Sequence, residues 1–344
     1  MDSVTQAVLG AVVVEAVAGR KLGNRALLWG LWFGTLPDLD ILVNPWIAPI
    51  ERLTWHRGLS HSLLLMTLTA PLWGWLMAWF HRKRGLTWAR ASWAVWLALF
   101  THVLIDCFTV YGTQILEPFS NVRVGFNNLF IIDPLFTLPM LLALLIIPWL
   151  RPDDRRRRWA NGLALVLVSL YVAWSFAAKA VVNHRIEAAL DADKIPVVRY
   201  QTTPTAFNTI LWRGLVETKD GFFIGYTSFL DPPGQPIRFD FVPKQELLVS
   251  EAKDSRAFHV LAWFSQGYWS AGSTGLGPIV MDWRFGEIRG AGPVSADNPL
   301  VPIFAWQLLP TESGWTYESV QLPGPPRKAM LPILWRRILG EPVF

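Results

Sequence analysis

Three histidines and three aspartates interrupt otherwise apolar text: Asp38 and Asp40 in GTLPDLD, His56 and His61 in HRGLSH, His102 and Asp106 in HVLID. His102 and Asp106 are spaced i, i+4, which puts both on one side of a single helix. Asp38 and Asp40 are two apart, as in an extended turn that presents carboxylates to one centre. Arg57 and Gly58 read as a tight turn between the histidines, and Ser60 is placed to cap the helix that follows. Mixed imidazole and carboxylate donors suit a divalent ion, zinc first, with manganese or iron as alternatives. Six candidate ligands exceed the three usual at one catalytic zinc. Two metals, or one metal and a general base drawn from Asp38, Asp40 and Asp106, both fit the residue types. A bound ion would acidify water for attack on an ester or phosphoester, with Arg57, and Arg123 as a second candidate, holding an anionic group or transition state. Taken singly, each group also has an ordinary structural role: a helix-internal hydrogen bond, histidines in a wet loop, a helix stop after proline.

The elements that carry these residues read as membrane helices. The chain has 344 residues, 52% hydrophobic and 17% charged, which is too apolar for an ordinary soluble protein of this size. Its 20 Trp suit membrane–water interfaces. Segments 62–80, 91–110, 129–150 and 159–179 are long enough to span a bilayer. Segments 3–19 and 25–42 are weaker candidates, the second broken by Pro37, Asp38 and Asp40 into a polar cavity. The first is apolar enough for a signal peptide, but Asp2 precedes it, Glu15 interrupts it, and Arg20, Lys21 and Arg25 follow rather than lead. It reads as a retained helix.

With six spans, the basic connectors GRKLGNR, HRKRG and RPDDRRRR all fall on one side, which the positive-inside rule makes cytoplasmic. The modest net charge of +5 therefore reads as orientation rather than nucleic-acid binding. The His and Asp residues then collect at the outer face, with Asp133 near the outer start of span five, where it joins the site or caps a kinked helix. Cys107, the single cysteine, excludes an intrachain disulfide framework and reads as packing.

Residues 180–194 read as a helix leading out of the membrane. From about 196 the pattern turns to strands: NTILWRGLVETKDGFFIGYTSFL as two strands around a Lys-Asp-Gly turn, then PIRFDFV, FHVLAWFSQGYWSA, PIVMDWRFGEI and GWTYESVQL. The expected architecture is an α-helical polytopic membrane domain over 1–180, a linker helix over 181–195 and a mostly β extracytoplasmic domain over 196–344. No phosphate-binding loop, HExxH, GxSxG or CxxC is present. Ser60 or Ser62 with His61 or His102 makes a poor hydrolase triad, because neighbours on a chain do not easily pair.

MDSVTQAVLG, GTLPDLD, HRGLSHS, HVLIDCFTVYGT and FNNLFIIDPLFTLP, in that order over residues 1 to about 140, resemble the LexA-binding, inner-membrane-associated metal-dependent hydrolases (YdjM-like, DUF457-type). The resemblance implies a multi-pass bacterial inner-membrane protein with a metal site. It would place ligands or catalytic groups at Asp38, Asp40, His56, His61, His102 and Asp106. Many such relatives carry Thr-His near the N-terminus where this chain has Thr5-Gln6, which removes a ligand from span one. LexA would need a cytoplasmic surface and the polar site faces away, so that partner is not carried over.

The expected function is metal-dependent hydrolysis at the outer leaflet, on a lipid or lipid-linked ester or phosphoester. Asp38, Asp106 and Arg57 would be catalytic, and the bilayer the principal partner. The alternatives are an ion- or proton-handling transporter and a structural envelope protein.

Overall fold

Backbone N–H and C=O groups inside a bilayer must bond within their own segment, so long apolar stretches there are helices. The computed structural model describes residues 1–312 and 314–344. Among them, five helical segments are long and apolar enough to cross a membrane: Ser3–Leu22, Asn24–Trp46, Leu63–Phe80, Trp88–Asp106 and Arg155–Ala192. The first is α1. The second is α2, Asn24–Thr35, which tightens into a 3₁₀ segment, Leu36–Trp46. The next two are α3 (Leu63–Phe80) and α4 (Trp88–Asp106). A shorter apolar helix, α5 (Pro134–Ile146), precedes α6 (Arg155–Ala192).

Two boundaries differ from the sequence reading. The span expected over 129–150 begins only at Pro134, because Asp133 accepts from the amides of Leu135 and Phe136 at 3.1 and 3.3 Å and proline takes the first helical position. Asp133 is thus a cap, and it also accepts from the Tyr171 hydroxyl at 2.8 Å. The second difference is that α6 runs unbroken for 38 residues, so the helix expected over 180–194 is its continuation.

The chain folds into two compact units, residues 1–46, 55–177 and 206–208 in one, and 47–54, 178–205 and 209–344 in the other. In the first, large apolar side chains such as Leu68, Leu72, Trp75, Leu145, Val166 and Leu170 point outward, as a lipid solvent requires. Glycines draw α1 and α2 together. A Cβ on Gly30 would lie 2.3 Å from the Gly10 carbonyl oxygen, and one on Gly34 would lie 2.4 Å from that of Gln6. At the other end of α1, buried Glu15 takes a two-pronged bond from Arg157 of α6, at 2.6 and 2.8 Å. Arg157 Nη1 also donates to Asn24 and to the carbonyls of Ile147 and Leu150.

The second unit contains, among the described residues, two four-stranded antiparallel sheets, each in sequential order. Strands β1 (Arg199–Pro204), β2 (Leu211–Glu217), β3 (Gly221–Ser228) and β4 (Phe239–Pro243) form one sheet, with β2 and β3 joined through Lys219 and Asp220. The other comprises β5 (Trp269–Thr274), β6 (Gly277–Ile288), β7 (Val301–Thr311) and β8 (Gly314–Ser319). The segment FHVLAWFSQGYWSA is not one strand. Its first part lies in helix α7 (Arg256–Phe264), where Ser255 caps the Phe258 amide at 3.1 Å and residues 257, 258, 260, 261 and 264 are buried at helical spacing. A last helix, α8, covers Arg327–Ile338.

The close approach at Gly30 is to backbone, which cannot yield as a side chain can. Gly30→Ala is therefore expected to cost about 1–3 kcal/mol through overpacking. In detergent it should lower the melting temperature. Gly162→Ala, where a Cβ meets nothing within 4 Å, should leave it unchanged or raised. Equal melting of the two variants would show that the α1–α2 glycine packing is not needed.

Candidate metal centre

The 3₁₀ segment after α2, the turn before α3 and the end of α4 bring Asp38, His61, His102 and Asp106 to one point, with one donor atom from each lying within 4.8 Å of all the others. His61 and His102 are fully buried, and so is Asp106; the Asp38 side chain keeps 17% exposure. The two imidazoles meet through their Nε2 atoms, 3.3 Å apart. Asp38 Oδ1 lies 3.4 and 3.5 Å from these nitrogens, and Asp106 Oδ2 lies 3.4 and 3.7 Å from them.

The outer nitrogens decide which face of each ring is free. His102 Nδ1 is 2.7 Å from the Gly34 carbonyl, which only accepts, so Nδ1 carries a proton, and in the neutral, metal-binding form of the ring Nε2 is a lone pair. Ser60 Oγ donates to Asp40 Oδ2 at 2.8 Å and therefore accepts from His61 Nδ1 at 2.9 Å. In the neutral ring His61 Nε2 is then also a lone pair. Two lone pairs facing each other beside two carboxylate oxygens repel unless a cation sits among them. Ligands about 2.0–2.1 Å from a tetrahedral zinc lie roughly 3.3 Å from one another; the His–His and His–Asp separations here run from 3.3 to 3.7 Å, and all four donors lie within 4.8 Å.

Asp106 is divided in its duties. Its Oδ1 receives Arg57 Nη2 at 3.0 Å, Gln6 Nε2 at 2.8 Å and the α-amino group of Met1. Its Oδ2 is buried and has no hydrogen-bond partner. The donor set and this unpartnered oxygen fit a divalent cation, with imidazole and carboxylate suiting zinc, manganese or iron.

Asp40 and His56 lie outside the four-atom cluster. His56 Nδ1 is 2.8 Å from Asp40 Oδ1, and Asp40 Oδ2 accepts from the Arg57 amide at 3.0 Å as well as from Ser60. Together they shape the turn that delivers His61. Arg57 has φ = 58°, uncommon for a side chain of its size. That conformation is held by the Asp40 bond to its amide and by Thr109 and Asp106 on its guanidinium. Arg123 is not at the cluster. It donates to the carbonyls of Tyr111 and Gly112 and lies 4.3 Å from the Tyr111 ring centroid, with Arg57 at 4.7 Å from the same ring.

The sequence points to Ser60 as a helix cap, but Ser62 caps α3, accepting from the Leu65 amide at 3.1 Å. Neither Tyr111 nor the Gly34 carbonyl stands out in the sequence. Gln6 reads there only as a poor ligand; it serves as a donor that holds Asp106.

The family model of the YdjM inner membrane protein matches residues 1–182. The chain belongs to this family. No curated protein and no solved structure matches it. The YdjM match covers every residue of the cluster and ends within α6, so both sheets lie beyond it. This YdjM chain is thus a multi-pass inner-membrane protein with a buried His/His/Asp/Asp cluster capable of holding a divalent metal.

Groups that orient metal-ligating histidines typically contribute 10–100-fold in affinity. Ser60→Ala and Asp40→Asn should each weaken zinc binding by that range, read by competition with a chromophoric chelator in detergent. Unchanged affinity in both would remove them from the positioning of His61.

Proposed function

We propose that this protein is a metal-dependent hydrolase of the outer face of the inner membrane, acting on a lipid or lipid-linked ester or phosphoester. The observation that carries the reading is the convergence of two imidazole lone pairs and two carboxylate oxygens on one point, with Asp106 Oδ2 buried and otherwise unbonded. A divalent cation held there would polarise an ester or phosphoester oxygen and acidify water.

The chain's own groups divide the remaining work. His61 and His102 supply neutral donors fixed in tautomer by Ser60 and Gly34. Asp38 is the most exposed of the four and sits on 3₁₀ rather than α-helical backbone. It is the ligand best placed to loosen, take a proton and meet substrate. Arg57 Nε is buried without a partner, a free cationic donor beside the cluster that suits negative charge developing on a substrate oxygen. The outer-face assignment is supported by the basic connectors at 19–25, 81–85 and 151–158, which in a six-pass chain share one side. The cluster occupies the opposite ends of α1, α2 and α4.

A second reading is favoured by the ligand count. Four protein donors can close a tetrahedral ion completely, which is the mark of a structural site. On that reading the metal staples α2 and α4 together.

The protein should be purified without a histidine tag and its metals measured by mass spectrometry, beside His61→Ala and His102→Ala. Near-stoichiometric metal, lost in both variants, is the expected result; none in the wild type after loading with Zn²⁺ and Mn²⁺ would sink both readings. Asp38→Ala separates them. Loss of phosphoester or ester turnover by at least 100-fold with metal and melting temperature retained supports catalysis. A chelator-sensitive melting temperature with no turnover of any lipid ester or phosphoester supports the staple.

A further inference from the structure

The C-terminal unit contains a cavity that the metal centre does not use. Its volume is about 180 Å³, several times the roughly 30 Å³ share of one liquid water. Its walls include Tyr226 of β3, Arg238 and Asp240 at β4, Arg289 just past β6, Arg337 of α8, and Phe344. Arg289 and Arg337 are 2% and 3% exposed, so these cations are built into the wall rather than draped over it.

Most of the buried charge around this cavity is matched. Arg213 pairs with Glu287 at 2.7 Å, and Tyr226 donates its hydroxyl to the same carboxylate. Burial, with Glu287 beside it, pushes the Tyr226 pKa far above its ordinary value, so that hydroxyl stays neutral. Arg337 is bound by Asp231 and the Tyr226 carbonyl. Arg213, outside the lining, keeps Nη1 buried without a partner, and two groups of the lining are also incompletely bonded. Arg289 gives Nη2 to Asp240 at 2.8 Å, but its Nε and Nη1 are buried with no partner. Arg238 is exposed, lines the cavity and has no ion-pair partner among the described residues. Three arginines thus line the cavity, with Asp240 in its wall and Asp231 nearby. Unmade hydrogen bonds from a buried charged group are costly. The guanidinium carbon of Arg289 is held 4.0 Å from the Phe344 ring centroid and 5.6 Å from that of Tyr226.

We infer that this cavity binds a small oxyanion of the phosphate or phosphomonoester type between Arg289 and Arg238. An oxyanion supplies acceptors to the unbonded guanidinium nitrogens of Arg289, and guanidinium matches phosphate geometry. The volume accepts such a group with a few waters but no acyl chain. The inference is independent of the metal reading. The phosphate could be free in solution or carried by a lipid headgroup.

Full-length protein in neutral detergent, treated with EDTA, should be titrated with inorganic phosphate by calorimetry, with sodium chloride of equal ionic strength as the blank. Saturable one-site binding is expected, weakened at least tenfold in Arg289→Gln and severalfold in Arg238→Gln, and unchanged in His102→Ala. Because Arg289 is buried, its variant is read only if its melting matches wild type; Arg238→Gln, at an exposed position, decides otherwise. In nanodiscs, loss of the phosphate heat with phosphatidic acid but not with phosphatidylcholine assigns the site to a lipid headgroup. Phosphate heat retained in both assigns it to a soluble anion. Absence of saturable heat in detergent, or heats unaltered in Arg238→Gln, overturns the inference.

Discussion

A carboxylate oxygen buried in an apolar helical domain without a hydrogen bond is a severe constraint on everything around it. Desolvating an ionised carboxylate costs several kcal/mol even after relaxation, and Asp106 Oδ2 faces two imidazole lone pairs rather than donors. The neighbouring structure answers that constraint in layers. Arg57 and Gln6 take the other oxygen. Ser60, whose hydroxyl is given to Asp40, and the Gly34 carbonyl take the outer imidazole nitrogens. The close glycine packing between α1 and α2 brings Gln6 and Gly34 near enough to reach α4. Packing that looks remote from chemistry thereby sets the bearing of each donor.

Much of this was legible in the sequence, for definable reasons. Ionisable residues are rare in apolar spans because they are costly there, so His102 and Asp106 announce themselves, and their i, i+4 spacing fixes a common face. The two β-sheets were legible because alternation and turn residues are local signals. Less was legible where local signals conflict. FHVLAWF is rich in β-formers, yet its burial is helical, and the Ser255 cap tips the balance. The distinction between Asp38 and Asp40 could not be read at all. Two residues apart on a 3₁₀ turn, they diverge, one to the imidazole Nε2 pair and the other to His56 and Ser60. Their roles are a matter of backbone curvature, which composition and spacing do not encode.

The unit that carries the two sheets follows different physics from the first. The membrane unit turns apolar side chains outward as well as inward, with buried apolar residues such as Val12, Phe33 and Met140; the β unit buries apolar side chains such as Trp212, Val216, Leu261 and Trp283. It also buries arginines, among them Arg213, Arg284, Arg289 and Arg337, each beside a carboxylate. Such pairs contribute little net stability when complete but are strongly destabilising when broken. They specify one alignment of the strands and helices that carry them.

The Glu15–Arg157 pair has a consequence for α1 as a whole. Between it and the His/Asp cluster, α1 carries Ala11, Val12 and Val14, all fully buried and apolar, with Asn161 of α6 giving its side-chain amide to the Val12 carbonyl. One end of the helix is tied to α4 through Gln6 and Asp106, and the other to α6 through Glu15 and Arg157. A helix pinned at both ends by buried polar bonds cannot slide along its neighbours without breaking one of them, so the register of α1 is fixed by chemistry at its ends rather than by the smooth apolar surface between.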